Sequence, residues 1–195
     1  MRYYSTKGDD GAASIGWGVR VSKAELDMEF TGALDEAQAT LGFAATEAQA
    51  KSDEHDQLCE VFSCLTRMQR LVFESGLAVM ETGSKEFAQE WSWDKQLAEV
   101  EKLCEQFAPQ QALKAFVLPG GSELAVRIEL ARVAIRRLER VYCRLADEKA
   151  KGERASTAEK YANMGALPLY NRLSSLAFVL ARYSNEVLEV DELSL

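Results

Sequence analysis

Residues 116–144 read FVLPGGSELAVRIELARVAIRRLERVYCR. Pro119-Gly120-Gly121 supplies the backbone freedom of a tight turn. Ser122 follows where a helix N-cap belongs, its hydroxyl placed to accept an orphan N–H of the first turn. Beyond it Leu124, Ile128, Ala131, Ile135, Leu138, Tyr142 and Leu145 recur at helical spacing, one apolar stripe over about six turns. Arg132, Arg136, Arg140 and Arg144 stand four apart on a second stripe that drifts slowly round the same helix, with Arg137 and Glu139 beside it. Such an arginine face has two readings. One is a solvated surface with local pairs such as Glu123 with Arg127. The other is a polyanion site, because each guanidinium is a fixed fork of donors suited to phosphate.

Charge narrows the choice. The chain carries a net charge of −8, which argues against nucleic acid as a partner but leaves room for one nucleotide at a local basic patch. Its 195 residues fit one domain. With 47% apolar residues, three prolines and long stripes of helical period, the class is all-α. Further helices are expected over 24–50 (stripe Leu26, Phe30, Ala33, Leu34, Ala37, Leu41, Ala44), 53–80 (Leu58, Phe62, Leu65, Val72, Val79), 93–107 (Leu97, Val100, Cys104, Phe107) and from Pro168, which suits a first turn (Leu169, Leu173, Leu176, Leu180, Tyr183). The polar stretch 81–92 with Gly83 reads as a loop, followed by Trp91 and Trp93 as lids over the core. The charged, alanine-rich 146–162 with Gly152 reads as a frayed helix end and a connection.

No apolar run approaches the ~20 residues that span a bilayer, and the first ten residues lack a signal-peptide centre. Four cysteines, Cys59, Cys64, Cys104 and Cys143, show no CxxC spacing, so buried reduced thiols and a cytoplasmic setting are expected. His55 and Cys59 are four apart, but one imidazole and one thiol fall short of the four ligands of structural zinc. The leader, 1–22, has no helical period and carries Gly8, Gly11, Gly16 and Gly18. It reads either as a loose tail or as a segment that wraps an anion with backbone N–H groups.

Four motifs in order carry a resemblance. They are Gly8-Asp9-Asp10-Gly11 with Arg20-Val21-Ser22-Lys23; FVLPGGSELA at 116–125; Ala131-Arg132 followed by Arg136-Arg137-Leu138-Glu139-Arg140; and Asn171-Arg172-Leu173-Ser174. Together, over residues 4–183, the chain resembles the PduO-type ATP:cob(I)alamin adenosyltransferases. The resemblance implies a five-helix up-and-down bundle of the ferritin-like, cobalamin adenosyltransferase-like kind, assembled as a homotrimer with sites between subunits. It divides the chain into a nucleotide-binding segment, 1–22, and a single bundle domain, 23–190. The implied reaction is attack of cob(I)alamin on the 5′ carbon of ATP in the presence of Mg2+, giving adenosylcobalamin and triphosphate. A reductase and a cobalamin-dependent acceptor enzyme are implied as partners.

The same resemblance assigns roles. Ser5, Thr6, Lys7 and Gly8 lie along the phosphates, Ser14 adds a hydroxyl and Lys23 a charge. Arg136, Arg137 and Arg140 supply cations, Glu139 orients them or the metal, and Asn171 donates to the nucleotide. Asp35 pairs with Arg132 across a subunit boundary. Phe116 covers the lower face of the corrin, and Phe178 is a second aromatic contact. Residue types alone leave both phenylalanines open as ordinary core side chains. The chain departs from the family at Ala12 and Ala13, where hydroxyl residues are usual, at Thr6 where a base is frequent, at Glu129 in place of histidine and at Ser175 in place of aspartate. These departures keep a second function in view, a non-catalytic protein that binds cobalamin or ATP for delivery or sensing. A third reading is a structural bundle whose arginines pair only with its own acids.

Overall fold

A computed structural model describes residues 3–15, 18–110, 113, 115–149 and 165–195. The elements in chain order are β1 (Ala12–Ile15), β2 (Val19–Ser22), α1 (Leu26–Lys51), α2 (Gln57–Val79), α3 (Lys85–Glu90), α4 (Trp93–Gln106), α5 (Glu123–Lys149) and α6 (Ala166–Val187). Helix α5 packs on α1 and on α6, and α2 packs on the other side of both, so α1, α2, α6 and α5 close a ring. Helix α4 lies outside it against α6.

Cross-helix contacts fix the directions. Arg127 meets Glu47 while Arg137 meets Glu36, so α5 runs antiparallel to α1. Asn185 bonds Ser122 while Asn171 bonds Glu139, so α6 runs antiparallel to α5. Glu99 meets Arg67 while Gln106 meets Glu60, so α4 opposes α2. The five long helices therefore alternate up and down, as expected. The short α3 is an addition to that expectation: Ser84 caps it by accepting from Phe87 N at 3.1 Å, within the stretch read as a loop.

The apolar stripes face the ring interior. All seven stripe residues of α5 are buried, as are Phe30, Leu34 and Leu41 of α1 and Leu169, Leu173 and Leu180 of α6. One aromatic chain crosses the bundle. Phe30 meets Tyr142 with centroids 5.9 Å apart, and Tyr142 meets Tyr170 edge-on at 5.6 Å. The Tyr170 hydroxyl is 3.0 Å from Ser75 Oγ. Burial pushes the Tyr142 phenol up to about 12 and raises Tyr170 further, so both stay neutral. Helix α2 approaches α1 at Gly76, where a Cβ would come within 2.6 Å of Leu34 Cδ1. Trp91 and Trp93 pack edge-on at 5.1 Å against the core, as lids.

The leader is more regular than its sequence suggested. β1 and β2 form an antiparallel hairpin in the register Ala12↔Ser22 to Ile15↔Val19. Ser22 links it to α1: its N–H donates to Glu25 Oε1 at 3.1 Å and its hydroxyl accepts from Ala24 N at 3.2 Å. Gly16, and the part of the 146–162 connection beyond Lys149 that includes Gly152, lie outside the described residues. The thiols are free. Cys64 is buried and its thiol is pushed up to about 12 by desolvation, but Cys59 is exposed on the outer face of α2 and corrects the expectation of burial for all four. No described helix is long and apolar enough to cross a membrane.

Arg67 ties α4 to α2. Its Nε and Nη2 donate to the two oxygens of Glu99 at 2.7 Å, and Nη2 also reaches Gln96 at 2.9 Å. The hydrogen bonds from Arg67 hold the Glu99 carboxyl below its ordinary value of 4.5. This stabilisation is complete above that value and is lost as pH falls through the lower folded-state pKa. Both side chains are about one-third exposed, so solvent screening limits the pair. Glu99→Gln is expected to cost about 1 kcal/mol at pH 7 by urea titration. The gap to the native protein should narrow as pH falls below the ordinary carboxylate value.

Candidate functional site

The arginines of α5 divide into two groups. Arg127 donates to Glu123 at 2.5 Å, meets Glu47 at 3.3 Å and lies 4.0 Å over the Phe43 ring. Arg132 donates from Nε to Glu129 at 2.5 Å, Arg137 reaches Glu36 at 2.7 Å and Arg144 pairs with Glu29. All four pair with carboxylates of the chain; Arg137 and Arg144 do so in solvent, whereas Arg127 and Arg132 are largely buried. Arg136 and Arg140 differ. Both are exposed and neither meets a carboxylate among the described residues. Arg140 Nη1 donates to the Arg136 carbonyl at 2.9 Å, which stacks the two guanidinium-bearing turns.

Helix α6 brings Asn171 to the same flank. Its Nδ2 donates to Glu139 Oε1 at 3.3 Å, and its Oδ1 accepts from Arg172 Nη1 at 3.0 Å. Arg172 is anchored to Glu101 of α4 at 2.9 Å. Glu139, Arg136, Arg140, Asn171 and Arg172 thus form a polar flank with two cations left over. A helix repeats every 3.6 residues, so α5 turns its spare arginines to one side while Leu138 and Tyr142 stay in the core.

The leader arrives at this end of the bundle, because it precedes α1 where Glu29 meets Arg144. Lys23 Nζ donates to the Gly8 carbonyl at 2.7 Å, and Lys23 N–H donates to Gly11 O at 2.9 Å. Ser5 Oγ accepts from Lys7 N at 3.2 Å. Arg20, unassigned in the sequence reading, bridges Asp10 at 2.8 Å and the Lys7 carbonyl at 2.9 Å. The Ala12 N–H donates to Asp10 Oδ1 at 3.0 Å. That hydrogen bond, then the nearby Arg20 charge, holds the Asp10 carboxyl below its usual range. The alternating Val19-Arg20-Val21-Ser22 was the signal for the hairpin and for Arg20 facing Ser14 across it.

Phe116 stands at the opposite end of α5. Its side chain is 85% exposed, so it is not the ordinary core phenylalanine that residue type alone would allow. The turn behind it is tightly held. Gly121 has φ +94, in the left-handed region, and a Cβ there would come within 2.5 Å of the Asn185 side chain. Asn185 is buried; it donates from Nδ2 to Gly120 O at 3.1 Å and accepts from Ser122 N at 2.9 Å. Ser122 caps α5 as expected, accepting from Ala125 N at 3.1 Å. Nothing in the sequence pattern singled out Asn185, because its partner lies more than sixty residues away.

The remaining candidates separate. Phe178 is half-buried on α6. Asp35 is exposed and makes no hydrogen bond or ion pair with Arg132 within the chain, where Glu129 holds the Arg132 Nε. Glu129 itself is 8% exposed, so the departure from histidine puts a local counterion beside Arg132. Ser175 Oγ donates back to the Asn171 carbonyl at 3.2 Å. Ala12 and Ala13 lie half-buried in β1. Thr6 and Ser14 are exposed in the leader.

A profile of the cobalamin adenosyltransferase family matches residues 3–184, and the chain belongs to that family. A corrinoid adenosyltransferase of Mycobacterium tuberculosis is 32% identical over 193 residues, covering 94% of this chain and 89% of its own. The corrinoid adenosyltransferase PduO of Citrobacter freundii is 31% identical over 183 residues, covering 93% of this chain and 49% of its own. Among solved structures, a single-residue variant of the PduO-type ATP:corrinoid adenosyltransferase from Lactobacillus reuteri, complexed with cobalamin and ATP, matches at TM-score 0.74. That match is 24% identical and spans 100% of this chain and 99% of the other, a likeness that establishes the fold.

The turn offers a direct test of its geometry. Gly121→Ala combines a left-handed backbone with a clash on Asn185, and should lose about 1–3 kcal/mol in denaturant titration. An unchanged midpoint would mean that the turn is free to relax.

Proposed function

We infer that the chain is an ATP:cob(I)alamin adenosyltransferase, transferring the 5′-deoxyadenosyl group of ATP to cob(I)alamin to give adenosylcobalamin and triphosphate. The observation that carries this reading is the pair Arg136 and Arg140, the two arginines of the α5 stripe left without a carboxylate among the described residues. Both electrons of the new cobalt–carbon bond come from the reduced cobalt. The carbon–oxygen bond to the triphosphate breaks, and negative charge grows on the departing bridging oxygen. Fixed guanidinium groups aimed at that charge lower the barrier without reorganising at the moment of reaction. No general base is required, consistent with the single histidine of the chain.

Arg136, Arg140 and, after exchanging Glu36 for phosphate, Arg137 take the triphosphate. The leader supplies Ser5, Thr6, Lys7, Gly8 and Ser14, with Lys23 as a further cation. Asn171 donates to the nucleotide. A divalent ion supplies further neutralisation of the phosphates. Among the described residues no group of three or more His, Cys, Asp or Glu gathers to hold one. Mg2+ commonly takes one or two carboxylates and completes its shell with phosphate oxygens and water. Glu139, half-buried beside Asn171, fits that donor set.

The phosphate flank and Phe116 lie far apart on one chain. Glu123 to Arg140 spans about 25 Å of helix, whereas the reacting atoms must come within about 3–3.5 Å. Neighbouring subunits of a homotrimer bring the two ends together. The outer face of α5 supports such an assembly: Val126, Leu130 and Val133, one helical row, are 40–48% exposed, and Phe43 of α1 adds to them. In such an assembly Asp35, exposed on α1, pairs with Arg132 across the subunit boundary. The leader, 1–22, then acts as the nucleotide-binding segment of a single bundle domain, 23–190. Free thiols suit a cytoplasmic setting, with a reductase supplying cob(I)alamin and a cobalamin-dependent enzyme taking the product.

Incubation with ATP, Mg2+ and chemically reduced cobalamin should yield adenosylcobalamin by absorbance and triphosphate by chromatography. Binding without product would favour a delivery or sensing protein of the same fold. Arg136→Ala should lower kcat/KM by about 100- to 1,000-fold, the loss seen when a transition-state charge loses one donor. Phe116→Ala should slow adenosylation far more than it weakens ATP binding by calorimetry; equal losses would remove Phe116 from the corrin face.

A further inference from the structure

Phe116 is 85% exposed, so packing of its own ring does little to fix it. Its location is set by the backbone of 116–118, and that backbone is paired with the C-terminal tail. Leu195 N donates to Phe116 O at 2.9 Å, Leu118 N donates to Leu193 O at 2.8 Å, and Val117 faces Ser194 in an antiparallel bridge. Val117 and Ser194 of the resulting ribbon line an open pocket of about 1000 Å3, together with Gln57, Arg182 and Glu192.

Side-chain burial does not hold the tail either, since Leu193 and Leu195 are 71% and 80% exposed. The chain leaves α6 through Glu189, which adopts the left-handed conformation at φ 54, and Val190 N donates back to Asn185 O at 2.9 Å. Past that point one side chain reaches the helix. Glu192 accepts from Arg182 Nε at 3.0 and 3.2 Å. The Arg182 side chain is 11% exposed and that of Glu192 20%, so the pair is largely removed from water. A pair in that setting is sensitive to loss of either member. Asn185, one turn along the same helix, holds Gly120 and Ser122 on the other side of the ribbon.

We propose that Arg182, acting through Glu192, latches the C-terminal tail onto the 116–118 segment, and that this latch positions Phe116 against the corrin. Arg182, Glu192 and the tail are positioning residues, and the role rests on the adenosyltransferase reading of Phe116. With the latch broken, 116–118 loses its backbone partner while the helical ring and the phosphate flank, at the other end of α5, keep theirs.

The test uses the full-length protein and Glu192→Ala, with removal of 192–195 as a second variant. Neither removes a core side chain, but both leave the Arg182 guanidinium without its carboxylate, so the melting temperature should fall by about a few degrees and the assays are run well below it. Amide exchange at Leu118 should rise about tenfold or more, as for a locally opened segment. The kcat of adenosylation should fall about 10- to 100-fold, the scale of an ångström-level misplacement, with KM for ATP within about twofold. Unchanged exchange at Leu118 in Glu192→Ala, while removal of 192–195 raises it by deleting the Leu193 acceptor, would overturn the latch. Faster exchange with an unchanged kcat would overturn the positioning of Phe116. If the native protein forms no adenosylcobalamin, the reading of the site fails and the positioning role with it, whereas the exchange result still decides whether the latch exists.

Discussion

Phe30, Tyr142, Tyr170 and Ser75 join the four helices of the ring at one level. The contacts on either side of that level depend on it. An edge-on aromatic pair resists sliding along the helix axis, and the buried Tyr170 hydroxyl has one side-chain partner to satisfy it. With the heights of α5 and α6 fixed, Glu139 meets Asn171, Arg136 and Arg140 lie beside them, and Arg144 meets Glu29 where the leader joins α1. The polar flank follows from how the aromatic level beside it is packed.

The charges on α5 are sorted by what α1 offers. Glu29, Glu36 and Glu47 recur along the face of α1 that α5 crosses, and each takes one arginine. Glu129 takes Arg132 from within the helix. The two exposed pairs, Arg137 with Glu36 and Arg144 with Glu29, contribute little stability each, and the effect of the set is one of selection. The pairs occupy the arginines that hold the two helices in register and leave Arg136 and Arg140 without a carboxylate among the described residues. The chain is acidic as a whole, yet it presents local positive charge, because its carboxylates are spent where the helices meet.

The far end of α5 works by a different device. There the turn at Gly121 and the tail from Glu189 are held by hydrogen bonds from Asn185 and Arg182, two residues one turn apart on α6. An apolar side chain is displayed to solvent on a backbone ribbon that borders an open pocket. A ring that is 85% exposed is not held by burial in its own core. The scaffold therefore fixes it through main-chain hydrogen bonds.

The sequence by itself determined the helices and the faces they bury, because a 3.6-residue period needs no distant information. Leu124 to Leu145 declared α5, Ser122 its start, and Gly120-Gly121 the turn, where only glycine suits a φ of +94. Family membership was legible too, from motifs spread over nearly the whole chain. The short α3 was missed because it is too brief to show a period, and the leader hairpin because the alternation of its four-residue strands is short and set among glycines. Which arginines remain spare was not legible, since Glu36 and Glu29 reach Arg137 and Arg144 across more than a hundred residues. Nor was the hold of Asn185 and Arg182 on the Phe116 segment. Those facts rest on distances between groups far apart in the chain, and only the packing of one helix against another sets such distances.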